Sequence, residues 1–97
     1  MAKYQHKKQL RGIGFVVQIA SILFSNYLAT GEKHLSQQEI IKTMDIPAPN
    51  FYRHMNWDVE TFNEQMAMLG VTRVVKKNRR VVYLLDIDTY KKFIFNS

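Results

Sequence analysis

The sequence predicts a mainly α-helical domain with one small β-hairpin, an α+β fold, in a single domain of 97 residues. Three observations support this fold class. Apolar residues recur every three to four positions along most of the chain as far as Gly70, as in amphipathic helices. Residues 71–86 then become rich in β-branched side chains, which is typical of strands. Near the start, residues 10–30 form a long run that is apolar over most of a helix circumference.

The chain begins with a basic, polar segment, residues 1–9, for which we expect a flexible arm. Residues 10–30 then predict a long helix that ends at Gly31, a residue suited to the position after a helix. One apolar stripe of this helix starts at Leu10. A second stripe consists of Phe15, Val16, Ile19, Ile22 and Leu23. A domain this small cannot easily cover both stripes, so we predict that the second forms a homodimer interface. The alternative is a helix wrapped by its own domain.

Residues 36–56 have the layout of two short helices joined by a tight turn, after a connection in which His34 and Leu35 could form a very short strand. Ser36 is placed to cap the first of these helices. Asp45 occupies the turn, where it tolerates a left-handed backbone better than most residues. Pro49 suits the first turn of the second helix, predicted over residues 49–56.

Asp58 predicts the start of a further helix, residues 58–69, with a regularly spaced apolar face. Residues 71–86 predict a β-hairpin with a charged tip, in which Asn78 is the residue expected to take a positive φ. Asp88 is expected to cap a short last helix over residues 88–95.

The net charge is +6 and the isoelectric point is near 9.7, which favours a polyanionic partner. Five cations fall in the eight residues from 73 to 80, with no acid among them. There are no cysteines, which excludes disulfides and fits a reducing cytoplasm. The apolar run 13–29 is about 17 residues long, short of the roughly 20 that span a bilayer, and contains polar residues. We therefore expect no membrane partner.

The order of these elements resembles the winged helix-turn-helix superfamily, common in small regulators of bacteria, archaea, plasmids and phages. The positions that correspond to the helix-turn-helix core of such domains are Ile40, Ile41, Met44, Ile46 and Phe51. The hairpin takes the place of the wing. There are departures from the pattern: Asp45 replaces the usual turn glycine, and the stretch between Ile46 and Gly70 is longer than usual.

The resemblance implies double-stranded DNA as the partner, read by a recognition helix and gripped by the wing. The candidate contacts are Asn50, Tyr52, Arg53, His54 and Asn56 on the recognition helix and Arg73, Lys76, Lys77, Asn78, Arg79 and Arg80 on the wing. Residues 58–69 are the alternative reader, although the acids Asp58, Glu60 and Glu64 disfavour them beside DNA. The expected function is a dimeric transcriptional repressor, cytoplasmic and nucleoid-associated, of prokaryotic or viral origin.

An enzyme is not expected, and neither is a cofactor or a metal site. His6, His34 and His54 lack metal-ligand spacing, and there is no phosphate-binding glycine loop. A strand end and a helix cap explain Asp86 and Asp88. The alternative function is a protein-interaction module, or part of a replication or partition complex, in which the apolar face of helix 10–30 binds a protein partner.

Overall fold

The computed structural model describes residues 13–95. These residues form five helices and three strands, in the order α1 (Ile13–Thr30), β1 (His34–Ser36), α2 (Gln37–Met44), α3 (Ala48–Trp57), α4 (Val59–Met68), β2 (Val71–Val75), β3 (Val81–Leu85) and α5 (Ile87–Phe95). The prediction of a mainly helical α+β fold is confirmed. The predicted arm, residues 1–9, and the predicted start of the first helix at Leu10 lie outside the described residues.

The three strands form one antiparallel sheet in the order β1-β3-β2. The predicted hairpin supplies β2 and β3, and the short β1 pairs with the other edge of β3. Leu35 and Arg73 both lie opposite Tyr83, one on each side of it. Directly opposite residues share a face of a sheet. The sheet therefore presents the side chains of this row to the same side.

The core lies around α1 and takes side chains from all five helices and from two of the strands. Its buried members are Val16, Ile19, Ala20, Leu23, Ile40, Phe51, Phe62, Met66, Leu69, Val71, Tyr83, Leu85, Ile87 and Tyr90. Burying apolar area is the main favourable contribution to folding. The first helix is thus the element that the other parts of the domain cover.

This packing corrects the prediction for the second apolar stripe of α1. Val16, Ile19 and Leu23 are at most 1% exposed inside the chain's own core, so their assignment to a dimer interface is wrong. Phe15 and Ile22 are half-buried and pack against the same core. The physical reason is that helices and sheet close around α1 from more than one side. At these positions the chain itself wraps the helix.

By length and composition alone, α1 could cross a membrane, a test that the core helix of a soluble protein also passes. In this fold four of its residues, Val16, Ile19, Ala20 and Leu23, are buried against other parts of the chain. Its apolar content therefore has a role in the core of the domain. The expectation of no membrane partner stays a prediction.

The predicted helix ends are confirmed at three positions. The Ser36 Oγ accepts the Glu39 N–H at 3.2 Å, which caps α2. Asp45 takes the left-handed conformation, with φ 57° and ψ 45°, and closes α2. The Asp58 carboxylate accepts the Thr61 N–H at 3.1 Å and so separates α3 from α4. Caps of this kind satisfy helix-end groups that have no partner within the helix.

Two local predictions are wrong. Arg79, with φ 65°, takes the positive φ at the hairpin tip, whereas Asn78 uses its Oδ1 to accept the Arg80 N–H at 3.1 Å. The last helix begins one residue earlier than predicted, at Ile87. Asp86, and not Asp88, is at its start, where its carboxylate accepts the hydroxyl of Thr89 at 2.8 Å. The positive φ thus lies one residue after the expected position, and the carboxylate at the start of the last helix lies two residues before it.

Gly70 forms the joint between α4 and β2. Its φ is +77°, and a Cβ added there would lie 2.7 Å from the backbone oxygen of Asp86. The Gly70 carbonyl also accepts the Asp86 N–H at 2.8 Å. Only a residue without a side chain fits this close approach of two backbone segments. The joint fixes where the hairpin starts relative to α4.

Candidate nucleic-acid interface

The face of α3 that points away from the core carries two of the predicted contact residues. Phe51 is fully buried and Met55 is half-buried, so these two define the inner side of the helix. Arg53 and Asn56 are exposed. The helical period of 3.6 residues places them on the side opposite Phe51. This outer face combines a guanidinium with a carboxamide, the two groups that make bidentate contacts to guanine and adenine.

The other three predicted residues of α3 lie at the flanks of this face. Asn50 is half-buried. Tyr52 is 42% exposed and packs edge-to-face on Phe51, with ring centroids 6.1 Å apart. The ring of His54 stacks on Phe15 at 4.9 Å. His54 is therefore held against α1 by its ring and has less freedom to reach a ligand than Arg53.

Phe15 connects the start of α1 to the two helices that follow the turn. Its ring lies 5.0 Å from that of Phe51 on α3 and 6.0 Å from that of Phe62 on α4. Aromatic pairs at such distances add specific geometry to apolar burial. The cluster fixes the position of α3 on the domain. Phe15, which we predicted to lie in a dimer interface, thus packs against aromatic rings of its own chain.

The hairpin tip, residues 76–80, is exposed throughout and is a closed turn. The Lys76 N–H donates to the Arg80 carbonyl at 2.8 Å, and the Arg79 N–H donates to the Lys76 carbonyl at 2.9 Å. The tip carries four cations and no acid, namely Lys76, Lys77, Arg79 and Arg80. Such a concentration of positive charge on a fixed turn creates a potential that attracts polyanions.

The structure does not bring Arg73 together with the tip. Arg73 lies in the middle of β2, opposite Tyr83, and is half-buried. Its Nε atom is buried and has no hydrogen-bond partner among the residues that the structure describes. Because Arg73 lies directly opposite Tyr83, its side chain is on the face of the sheet that packs against the core. The grouping of Arg73 with the four tip cations, predicted from their spacing, reflects sequence proximity only.

Tyr83 lies beneath the surface formed by α3 and the sheet, and it is fully buried. Its hydroxyl donates to the Gln37 Oε1 at 2.8 Å and also lies 3.8 Å from the Met55 Sδ. Burial raises the pKa of Tyr83, and the nearby Arg73 partly opposes the rise. One hydroxyl thus joins β3 to both α2 and α3.

A cleft connects α3 to the hairpin tip. We name it the tip cleft; its volume is about 220 Å³, and its polar lining is Ser36, Gln37, Gln38, Tyr52, Arg79 and Arg80. Tyr52 comes from α3, the two arginines from the tip, and the others from β1 and the first turn of α2. The predicted contacts of the helix and of the tip therefore meet on one surface. Sequence reasoning missed Gln37 and Gln38, although their place directly after a helix cap was a usable signal.

The alternative reader, residues 58–69, corresponds to α4. Its carboxylates at Glu60 and Glu64 are exposed, and Asp58 is used to cap the helix. Exposed carboxylates repel the phosphates of a nucleic acid. As the sequence predicted, α4 therefore presents exposed carboxylates, whereas α3 carries none.

Among residues 13–95, no group of three or more histidine, aspartate or glutamate side chains is placed to hold a metal ion. No family model, no curated protein and no solved structure matches the chain. The class that the structure defines is a mainly helical α+β domain with a three-stranded antiparallel sheet.

Proposed function

We propose that this protein is a sequence-specific, double-stranded DNA-binding transcriptional regulator of the winged helix-turn-helix type, acting as a dimeric repressor. In this proposal α3 enters the major groove, and the hairpin serves as the wing that grips phosphates or the minor groove. The observation that carries the proposal is the tip cleft, because it brings Tyr52 of α3 beside Arg79 and Arg80 of the tip. A reading helix and a cationic hairpin are useful together only when they share one surface.

The outer face of α3 supports the role of reader. Arg53 and Asn56 are exposed, three residues apart, and no acid occurs from Ala48 to Trp57. Side chains with this spacing lie one turn apart on one helix face. An arginine can make a bidentate contact to guanine and an asparagine to adenine. These two residues are therefore the proposed base contacts, with Asn50, Tyr52 and His54 at the edges.

The hairpin tip supports the role of phosphate grip. Its four cations are exposed and the turn that holds them is closed by backbone hydrogen bonds. A preformed turn loses less conformational freedom when it binds than a mobile loop does. Cations that neutralise phosphates release counterions, which supplies affinity independently of sequence. The tip is thus suited to hold the backbone while α3 reads the bases.

The proposed homodimer uses a different part of α1 from the one predicted. Leu28, in the last turn of α1, is 69% exposed, whereas Ile19 and Leu23 are buried. Phe24, one turn before Leu28, is half-buried and its ring packs on Tyr90 of α5 at 5.1 Å. We place the contact between the two copies here. Two copies would present two α3 helices to an inverted repeat.

The test is a selection of bound sequences from a random duplex pool at about physiological salt, where nonspecific affinity is suppressed. We expect enrichment of an inverted repeat whose half-sites lie one helical turn, roughly 34–36 Å, apart or a multiple of this. A variant with Arg53→Ala and Asn56→Ala is the matched control, because it keeps the cationic tip. It should retain weak binding and enrich no sequence. Failure of the folded wild-type protein to enrich any sequence would overturn the proposal.

A further inference from the structure

The tip cleft has the size and chemistry of a site for one small anion. Its volume of about 220 Å³ is below the roughly 300 Å³ at which pockets for drug-sized ligands begin. Two guanidinium groups, a tyrosine hydroxyl and two carboxamides line it, and no carboxylate does. Every one of these groups can donate a hydrogen bond, and arginine matches the geometry of phosphate oxygens. The lining thus selects a compact anion with several acceptor oxygens.

The first turn of α2 adds to this selection. Gln37 and Gln38 are the first two residues of the helix, where backbone N–H groups have no acceptor within the helix itself. The Ser36 Oγ caps the N–H of Glu39, one residue further on. The positive end of the helix dipole therefore faces the same region as Arg79 and Arg80. The two arginines come from a separate element, so the positive charge of the cleft has two independent sources.

The cleft is held at a fixed shape from below. Gln37 is only 7% exposed, and its Oε1 accepts the hydrogen of the buried Tyr83 hydroxyl. Tyr52 is braced from the other side by its edge-to-face contact with Phe51. Residues whose side chains are fixed before binding lose little freedom when a ligand arrives. Two walls of the cleft, Gln37 and Tyr52, are consequently in place before binding, whereas Gln38, Arg79 and Arg80 are exposed.

We propose that the tip cleft binds a single phosphate group, supplied by the DNA backbone beside the groove that α3 enters. This inference rests on the proposed function and deepens it. It assigns Tyr52, predicted to read bases, to the phosphate instead, and it adds Gln38 to the binding residues. One phosphate seated between α2, α3 and the tip fixes the register of α3 in the groove, since such contacts position a protein on the duplex.

The experiment measures affinity for the selected duplex when one phosphate at a time is replaced by an uncharged methylphosphonate. For the wild-type protein, we expect one position per half-site at which the replacement weakens binding about tenfold, as for loss of a hydrogen bond to a charged group. Tyr52→Phe and Gln38→Ala should each weaken binding to the normal duplex. For these two variants, the methylphosphonate at that one position should cause no further loss of affinity. Gln18→Ala, an exposed position on α1, is the matched control and should keep the full sensitivity.

A second measurement separates this inference from the proposed function. Titration of the protein with inorganic phosphate, followed by NMR of the backbone amides, should shift Gln38, Tyr52 and Arg80 in the wild type and not in Gln38→Ala. If the protein binds no duplex but shows these shifts, the cleft is a phosphate site for a free phosphate compound and the DNA proposal fails. If it binds duplex but neither variant loses sensitivity at any position, the cleft proposal is overturned and DNA binding stands.

Discussion

The hydroxyl of Tyr83 on β3 donates a hydrogen bond to the Oε1 of Gln37 at the start of α2, over 2.8 Å. The two residues are 46 positions apart in the chain, and both are buried. The same hydroxyl lies 3.8 Å from the sulfur of Met55 on α3. Because β3 is one strand of the hairpin, this contact joins the hairpin to the two helices, in addition to the pairing of β3 with β1, the strand directly before α2. It is therefore a buried side-chain contact between the two parts of the proposed interface.

Tyr83→Phe is expected to lower the free energy of unfolding by about 1–3 kcal/mol, because it leaves the buried Gln37 oxygen without this donor. The ring is retained, so no large cavity forms. The measurement is urea denaturation followed by circular dichroism. Tyr90→Phe is the control, since among residues 13–95 the hydrogen bond of its hydroxyl is a long, part-buried one of 3.4 Å with the Ser21 Oγ. Equal losses for the two variants would contradict the special role of the Tyr83 hydroxyl.

Stability should depend on pH through the same tyrosine. Burial raises the pKa of Tyr83 above its usual value of 10.0, so the folded state retains this proton at a pH where the unfolded chain has lost it. The contribution is fully present below about pH 10 and is lost as the pH rises through the folded-state pKa. We expect the stability difference between wild type and Tyr83→Phe to shrink above pH 10. A difference that is constant up to pH 12 would refute this.

The turn between α2 and α3 offers a test at Asp45, which has φ 57° and is exposed. The left-handed conformation costs an ordinary residue roughly 1–2 kcal/mol, and glycine avoids this at a smaller entropic cost. We expect Asp45→Gly to raise the free energy of unfolding by about 0.5–1 kcal/mol and Asp45→Val to lower it by about 1–2 kcal/mol. Lys42→Val, in the preceding turn of α2, is the control and should change stability by less than about 0.7 kcal/mol.

The elements that the sequence predicted well are those fixed by local chemistry. Ser36, Asp45 and Asp58 each act on backbone within three or four residues, so their sequence neighbourhood contains the information needed. After Gly70 the helical spacing of apolar residues gives way to segments rich in β-branched residues. This change likewise located the hairpin, because side-chain alternation is a local property of strands. These features account for the helix ends and for the position of the charged tip.

The features that the sequence did not predict depend on how distant parts pack together. Whether Ile19 is covered depends on elements far along the chain, and the apolar pattern of α1 does not say which elements those are. The same holds for Arg73, which is close to the tip in sequence but lies beside Tyr83 in the sheet. The tip cleft is lined by residues of β1, α2, α3 and the hairpin tip, so no single motif contains it. Its geometry becomes visible only in the folded chain, where the pairing of β1 and the Tyr83 hydroxyl join β3 to the start of α2.

The tip cations give a prediction for DNA binding. Lys77 is exposed at the tip, and removal of one phosphate contact lowers the slope of log affinity against log salt by about 0.9. We expect this change for Lys77→Ala on every duplex, with no change in the preferred sequence. Fluorescence anisotropy over a range of salt concentrations measures it. Lys91→Ala, on α5, is the matched control; a slope reduced equally by both variants would mean that net charge alone matters.

Two substitutions on α1 separate folding from dimerisation. Ile19 is fully buried, so Ile19→Glu places a charge in the core and should unfold the domain, at a loss of more than about 4 kcal/mol. Leu28 is 69% exposed, so Leu28→Glu should leave the circular dichroism spectrum unchanged and convert a dimer into a monomer. Sedimentation velocity at micromolar concentration distinguishes these states. A folded Leu28→Glu variant that remains dimeric would exclude the end of α1 from the interface, and a monomeric wild type would remove the dimer from the proposal.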